Sequence, residues 1–301
     1  MRRAALVGML ALLVGLAGAA PAAAVNLPEC GGHFILVGTN DIDFENGPVN
    51  LTGNILLTNP TGEVHVGAKN IIKGTITANQ IFLGTGAVVD KCVANKIIFA
   101  GGTCLDQTQV GPGNFAPSAA CLASIPTVNV VDNCVKTAAN VTVAAGATLS
   151  LAPGCYGIVR VNAGGTLILT AGGTYNVREV RVLHDGTIET DSAGVRANVN
   201  VLGQVNTEPT NATLRDLFIQ TPSGPGNNVH IGQAGTLDNV VIFSMAGEIH
   251  PHTGLAITGD TELVARRLSI EPVRNEPPPV VLPCVCPLGT HLNTPALCIP
   301  D

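Results

Sequence analysis

Glu248, His250 and His252 occupy alternate positions in the run Glu248-Ile-His250-Pro-His252. In an extended strand, residues i, i+2 and i+4 project from one face. The run therefore offers one carboxylate and two imidazoles to a single ion, a donor set suited to Zn2+. His230 precedes His250 by about the length of one repeat unit, and in a repetitive fold that spacing can stack the two rings. The plainer reading is a group of surface histidines at a corner shaped by Pro251. A second candidate is Asp41-Ile-Asp43-Phe-Glu45-Asn-Gly47, with three carboxylates on alternate residues. Such hard oxygen donors suit Ca2+. The run departs from an EF-hand loop, because its glycine is seventh rather than sixth and no Glu closes the loop. Solvated acids in an early loop are the alternative. No organic cofactor is expected, and Ca2+ or Zn2+ are the ions these residues would take.

The densest charged stretch is Arg178, Glu179, Arg181, His184 and Asp185, with Glu189, Asp191 and Asp216 further on. Glycoside hydrolysis needs two carboxylates facing each other across a cleft. A polysaccharide lyase needs a base and a cation to neutralise a uronate. No motif fixes such a pairing here, and ion pairs on a polar surface would give the same string. No catalytic residue is assigned. Sugar stacking uses exposed aromatic faces, yet the chain has no Trp and only Tyr156 and Tyr175, each beside turn glycines. An ice-binding face would need a regular threonine ladder, and Thr75-Ile76-Thr77 is a single rung without evident neighbours.

The elements that must position these residues repeat. Ala145-Gly-Ala-Thr-Leu-Ser-Leu151 recurs as Ala163-Gly-Gly-Thr-Leu-Ile-Leu169, and Asp185-Gly-Thr-Ile-Glu-Thr190 carries the same core. Gly235-Thr-Leu237 and Gly254-Leu-Ala-Ile257 continue it when aligned by their glycines. Earlier in the chain, Ala78-Asn-Gln-Ile-Phe-Leu83 recurs as Ala94-Asn-Lys-Ile-Ile-Phe99. Each unit is a glycine turn followed by apolar/polar alternation of period two, which predicts half-buried strands. The spacing leaves no room for crossover helices. A β-sandwich needs no in-register repeat, whereas a solenoid does. The expectation is an all-β, single-stranded, right-handed parallel β-helix (a β-solenoid) with coils of about 16–21 residues. Roughly 13 coils at about 4.8 Å would make a rod near 60 Å long.

Composition agrees with this. The chain has 301 residues, 35 of them glycine, and only 12% are charged. Short strands covered by Asn, Thr, Ser and Gly account for so few charges. Arg2, Arg3 and the apolar run to Gly18, followed by small residues to Ala24, read as a cleavable export signal. Its removal leaves 13 basic against 21 acidic residues, a net charge of −8. No basic stripe is present, so nucleic acid is not an expected partner. No later segment is apolar enough to span a membrane. All nine cysteines follow the signal, which predicts disulfides in an oxidising compartment. Cys92 with Cys104, and Cys121 with Cys134, are the simplest local pairs. The organisation predicted is a signal at 1–24, a first block of coils at 25–104 and a Pro- and Gly-rich insertion at 105–135. A second block follows at 136–271, then a Pro-rich linker at 272–283 and a cysteine-bearing tail at 284–301.

Leu151-Ala-Pro-Gly-Cys-Tyr-Gly157, Gly164-Gly-Thr-Leu-Ile-Leu169 and Gly172-Gly-Thr-Tyr175 carry a resemblance. Together with Gly259-Asp-Thr-Glu-Leu-Val-Ala-Arg-Arg-Leu-Ser-Ile270, they resemble the right-handed parallel β-helix modules of bacterial exported, surface- and pilus-associated proteins. The likeness covers about residues 140–271, and Cys155 departs from the Thr or Val usual at its place. It implies an extracytoplasmic structural or adhesive module with no assigned catalytic residues. The function expected is a secreted or surface-displayed scaffold, adhesin or coat component, with the periplasm as another location. Partners would be cell-surface or matrix components, or copies of the chain itself. A β-helix lyase or hydrolase and a metal-dependent binding module are the alternatives.

Overall fold

The segment Thr166–Leu169 shows how each unit folds. Leu167 and Leu169 point inward and are buried, while Thr166 and Ile168 face outward and are half-buried. The turn before it needs a backbone that L side chains resist: Gly164 has φ 65° and its counterpart Gly146 has φ 67°. Glycine adopts that conformation without a steric penalty.

The computed structural model describes residues 34–110, 134–207, 210–222, 229–272, 274–275, 291–293 and 297–299. Within them there is no α-helix, and parallel strands stack as a right-handed β-solenoid of about 10 turns. At about 4.8 Å per turn this is a rod of roughly 48 Å, shorter than the 13 coils expected. Successive coils are in register. Thr148, Thr166 and Thr187 are partners, and Gly154 pairs with Tyr175. Coils are shortest where Cys92 meets its partner Gln107 and longest where Thr187 meets Thr213. The spread is wider than the repeats suggest, because corners differ in length. Leu237 lies opposite Ile257, one place beyond Ala256, the match that aligning the glycines gives.

The two blocks are reversed in space. The first described strand, Leu36–Phe44, pairs in parallel with Glu262–Ile270, the final coil of the second block, matching Leu36 to Leu263 and Phe44 to Ile270. Its other edge pairs with Ile55–Leu57 and Glu63–Val66. The stack therefore begins near residue 141, rises to residue 270, continues with residues 36–99 and ends at Thr103–Gln109. Gln109 and Val141, neighbouring ends of the two blocks in sequence, stand at opposite ends of the rod. The strand Thr103–Gln109 takes in the first residues of the stretch read as an insertion. Residues 111–133 of that stretch, the signal at 1–24, and most of the linker and tail lie outside the described residues.

Three faces enclose one apolar core. On one face the outward side is buried as well: Val37, Leu56, Phe218, Val241, Phe243 and Val264 alternate with core residues and are almost inaccessible. The unbroken apolar runs Leu217-Phe-Ile219 and Val240-Val-Ile-Phe243 are what two-sided burial demands. The core at the far end holds the disulfide Cys92–Cys104, Cα–Cα 6.1 Å. Cys134 bonds Cys155, Cα–Cα 5.8 Å, instead of Cys121. The stretch from Cys134 to Cys155 is one coil, and one coil brings neighbours within disulfide reach. Cys121 itself lies outside the described residues.

Candidate functional site

His230 and His250 are register partners on neighbouring coils, so stacking places both imidazoles on one outward face. His252 follows Pro251, where the strand Thr236–Pro251 ends and the chain turns. The turn swings its ring back beside His250. Ring centroids lie 4.4 Å apart for His250 and His252, 6.1 Å for His230 and His250, and 6.4 Å for His230 and His252. One ligating atom from each of the three lies within 4.8 Å of the others. A second group joins Glu45, His250 and Glu271 on the same criterion, so His250 belongs to both.

Glu271 organises this corner. Its Oε1 accepts from His252 Nδ1 at 2.9 Å, and its Oε2 accepts from the Thr253 amide at 2.9 Å and hydroxyl at 2.8 Å. Desolvation opposes its ionisation, but the Thr253 donors and the His252 ring more than offset this and hold its carboxyl below the ordinary value. With Nδ1 of His252 donating to a carboxylate, the lone pair falls on Nε2, the tautomer that a metal takes. Nε2 of His250 is buried and makes no hydrogen bond, with Glu271 Oε1 3.6 Å away.

The other residues singled out in the sequence are placed differently. Glu248 is opposite Arg267 on the next coil and is outside the group of three imidazoles. Along a straight strand, alternate residues are about 6.6 Å apart, so Glu248 and His250 diverge where the corner brings His252 in. Asp41, Asp43 and Glu45 do not converge either. Asp41 pairs with Arg267 at 3.1 Å and Asp43 with His65 at 2.8 Å, while only Glu45 reaches the histidine corner. Asp43 finds its partner on an adjacent coil, and Asp41 accepts from Asn40 on its own strand at 2.6 Å as well as from Arg267 on the adjacent coil. Glu271 was missed in the sequence. Its signal was its place about one coil after His250.

The charged stretch is spread around the perimeter. Arg181 pairs with Glu179 at 2.6 Å. His184 is at a corner, 3.0 Å from Thr210 and 3.3 Å from Asp185. Arg215 joins Glu189 at 3.2 Å and Asp238 at 3.1 Å on another face. A shallow corner concavity gathers Arg215, Asp216, Asp238, Asn239 and Asp260. Each of its carboxylates is held: Asp216 by Asn239, Asp238 by Arg215, Asp260 by Arg196. Nearby Glu262 has its carboxyl pushed up to about 8 by burial first and by Asp260 second. It is 1% exposed and shut away from any substrate. Tyr175 is also buried, which raises its phenol. Its hydroxyl donates to the Leu151 carbonyl at 2.8 Å and accepts from the Thr170 amide at 2.7 Å.

The face that carries Glu189, Arg215 and Asp238 also carries a feature that the sequence did not disclose. Thr148, Thr166, Thr187, Thr213 and Thr236 are consecutive register partners, forming an outward column continued by Ala256.

No protein-family model matches the chain, and no curated protein matches it. A similar solved structure is the crystal structure of an ice binding protein from an Antarctic Biological Consortium. It is 14% identical, with a TM-score of 0.43, covering 86% of this chain and 92% of that one.

Proposed function

We propose that this protein is an exported, non-catalytic β-solenoid, displayed outside the cell or at its surface. It acts as a scaffold, adhesin or coat component by presenting a rigid patterned face to surface or matrix components, or to copies of itself. The observation that carries this reading is how outward groups are used. Charges are neutralised between coils, as in Glu189–Arg215–Asp238, and asparagines bond along the rod, as in Asn200 to Asn176 at 3.0 Å. Beside the ion-paired column, on the same strands, runs the hydroxyl column. Expression with an epitope in a bacterial host tests the export step. Intact-cell labelling and a mature chain beginning at Val25 are expected, and retention of an uncleaved chain in the cytoplasm would overturn it.

The threonine column favours a second reading. Five registered hydroxyls about 4.8 Å apart on a stiff sheet form a template for ordered water, so this face is suited to binding ice. A gap between melting and freezing temperatures is expected in the wild type. That gap should vanish in Thr187→Lys/Thr213→Lys while the circular dichroism is unchanged. Crystal growth indistinguishable from that in serum albumin would end this reading.

A further inference from the structure

The histidine corner sits where the two reversed blocks meet. His230, His250, His252 and Glu271 belong to the second block, which begins the stack. Glu45 follows directly on the strand Leu36–Phe44 of the other block. Its amide donates to the Ile270 carbonyl at 2.9 Å, so it stands one coil above Glu271. The five side chains therefore span the level at which, among the described residues, coils remote in sequence are stacked, residue 36 against residue 263.

We propose that His230, His250 and His252 bind a late first-row divalent cation, Zn2+ in the first instance. Glu45 closes the site from the other block and Glu271 orients His252, so that the metal staples the seam. Three imidazoles and a carboxylate are borderline donors, which select Zn2+, Ni2+ or Cu2+ over Ca2+ or Mg2+. The three imidazole donor atoms lie within 4.8 Å of one another. Two nitrogens around tetrahedral zinc are about 3.3 Å apart, a difference that side-chain rotation closes without moving the backbone. Nε2 of His250 is buried without a hydrogen bond and lies 3.6 Å from Glu271 Oε1, so it offers a ring nitrogen to an ion at this corner. The Glu271–His252 contact is the carboxylate–imidazole support that metal-bound histidines use. This inference does not depend on what the faces of the rod bind.

The test is calorimetric titration of ZnCl2 into the full chain, disulfides intact, after chelator treatment. One equivalent is expected to bind and to raise the thermal midpoint. His250→Ala should abolish both effects with the β-sheet circular dichroism retained. Glu45→Gln should weaken binding at least tenfold. X-ray absorption of the loaded wild type should show nitrogen and oxygen neighbours only, a readout that needs no variant to fold. Absence of saturable binding, sulfur in the coordination shell, or full affinity in His250→Ala would overturn the site. Wild-type affinity in Glu45→Gln would overturn the staple.

Discussion

Glu262 makes the stability of the rod depend on pH in a direction unusual for a carboxylate. It opens the coil that meets the N-terminal block, faces Val241 across the register and is 1% exposed. Arg196 is also buried, but its guanidinium is committed elsewhere. It donates to the Asn239 carbonyl at 2.9 Å and side chain at 2.6 Å, and to Asp260. Desolvation and the charge of Asp260 outweigh its attraction, and the carboxyl rises from 4.5 to about 8. The unfolded chain releases this proton near 4.5 and the folded protein only near 8. Between those values the folded state holds the extra proton, so stability falls as pH rises. At about 1.4 kcal/mol per unit, the loss totals roughly 5 kcal/mol across the window. It is absent below 4.5 and complete above 8. Glu262→Gln keeps the shape and removes the titration. Guanidinium unfolding followed by far-UV circular dichroism, at intervals from pH 5 to 9, should show the wild type losing stability relative to the variant. Parallel curves for the two proteins would refute the reasoning.

Packing sets three further outcomes. Tyr175→Phe removes the partner of both the Thr170 amide and the Leu151 carbonyl, and should cost about 1–3 kcal/mol, read as a lower guanidinium midpoint. Gly74 has φ 152°, and a Cβ there would run into the Gly53 carbonyl one coil below. Gly74→Ala should destabilise by about 2–4 kcal/mol, seen as a depressed thermal midpoint, whereas Gly146→Ala, at a turn with open space around the Cβ position, should cost about 1 kcal/mol.

The fold was legible because period-two alternation and glycine turns are local. Leu167 and Leu169 announce their burial without reference to the rest of the chain. Registers were legible where coil lengths matched, as for Ala78 and Ala94. They were hidden where corners varied. No two steps of the threonine column are equal, from Thr148 to Thr166, Thr187, Thr213 and Thr236, so no fixed period finds it. The histidine corner was half visible. His250 over His230 follows from one coil length, whereas His252 is a corner residue and not a third position on the strand. Glu45 at that corner was beyond reach, since nothing local says that residue 44 stacks on residue 270. The same reversal explains why Asp41, besides its neighbour Asn40, has Arg267 as a partner.

That reversal also has a consequence in time. The strand Leu36–Phe44 leaves the ribosome long before Glu262–Ile270, the neighbour for its lower edge. At about 5–20 residues per second, roughly ten to forty seconds pass before the partner exists. Throughout that interval the early coils present an open row of amides and carbonyls, the kind of edge that recruits foreign strands. Docking must also wait for contacts separated by most of the chain, which slows folding. A nascent protein of this design needs a holdase for its early half, or a passage to its destination that keeps it unfolded until the last coil has been made.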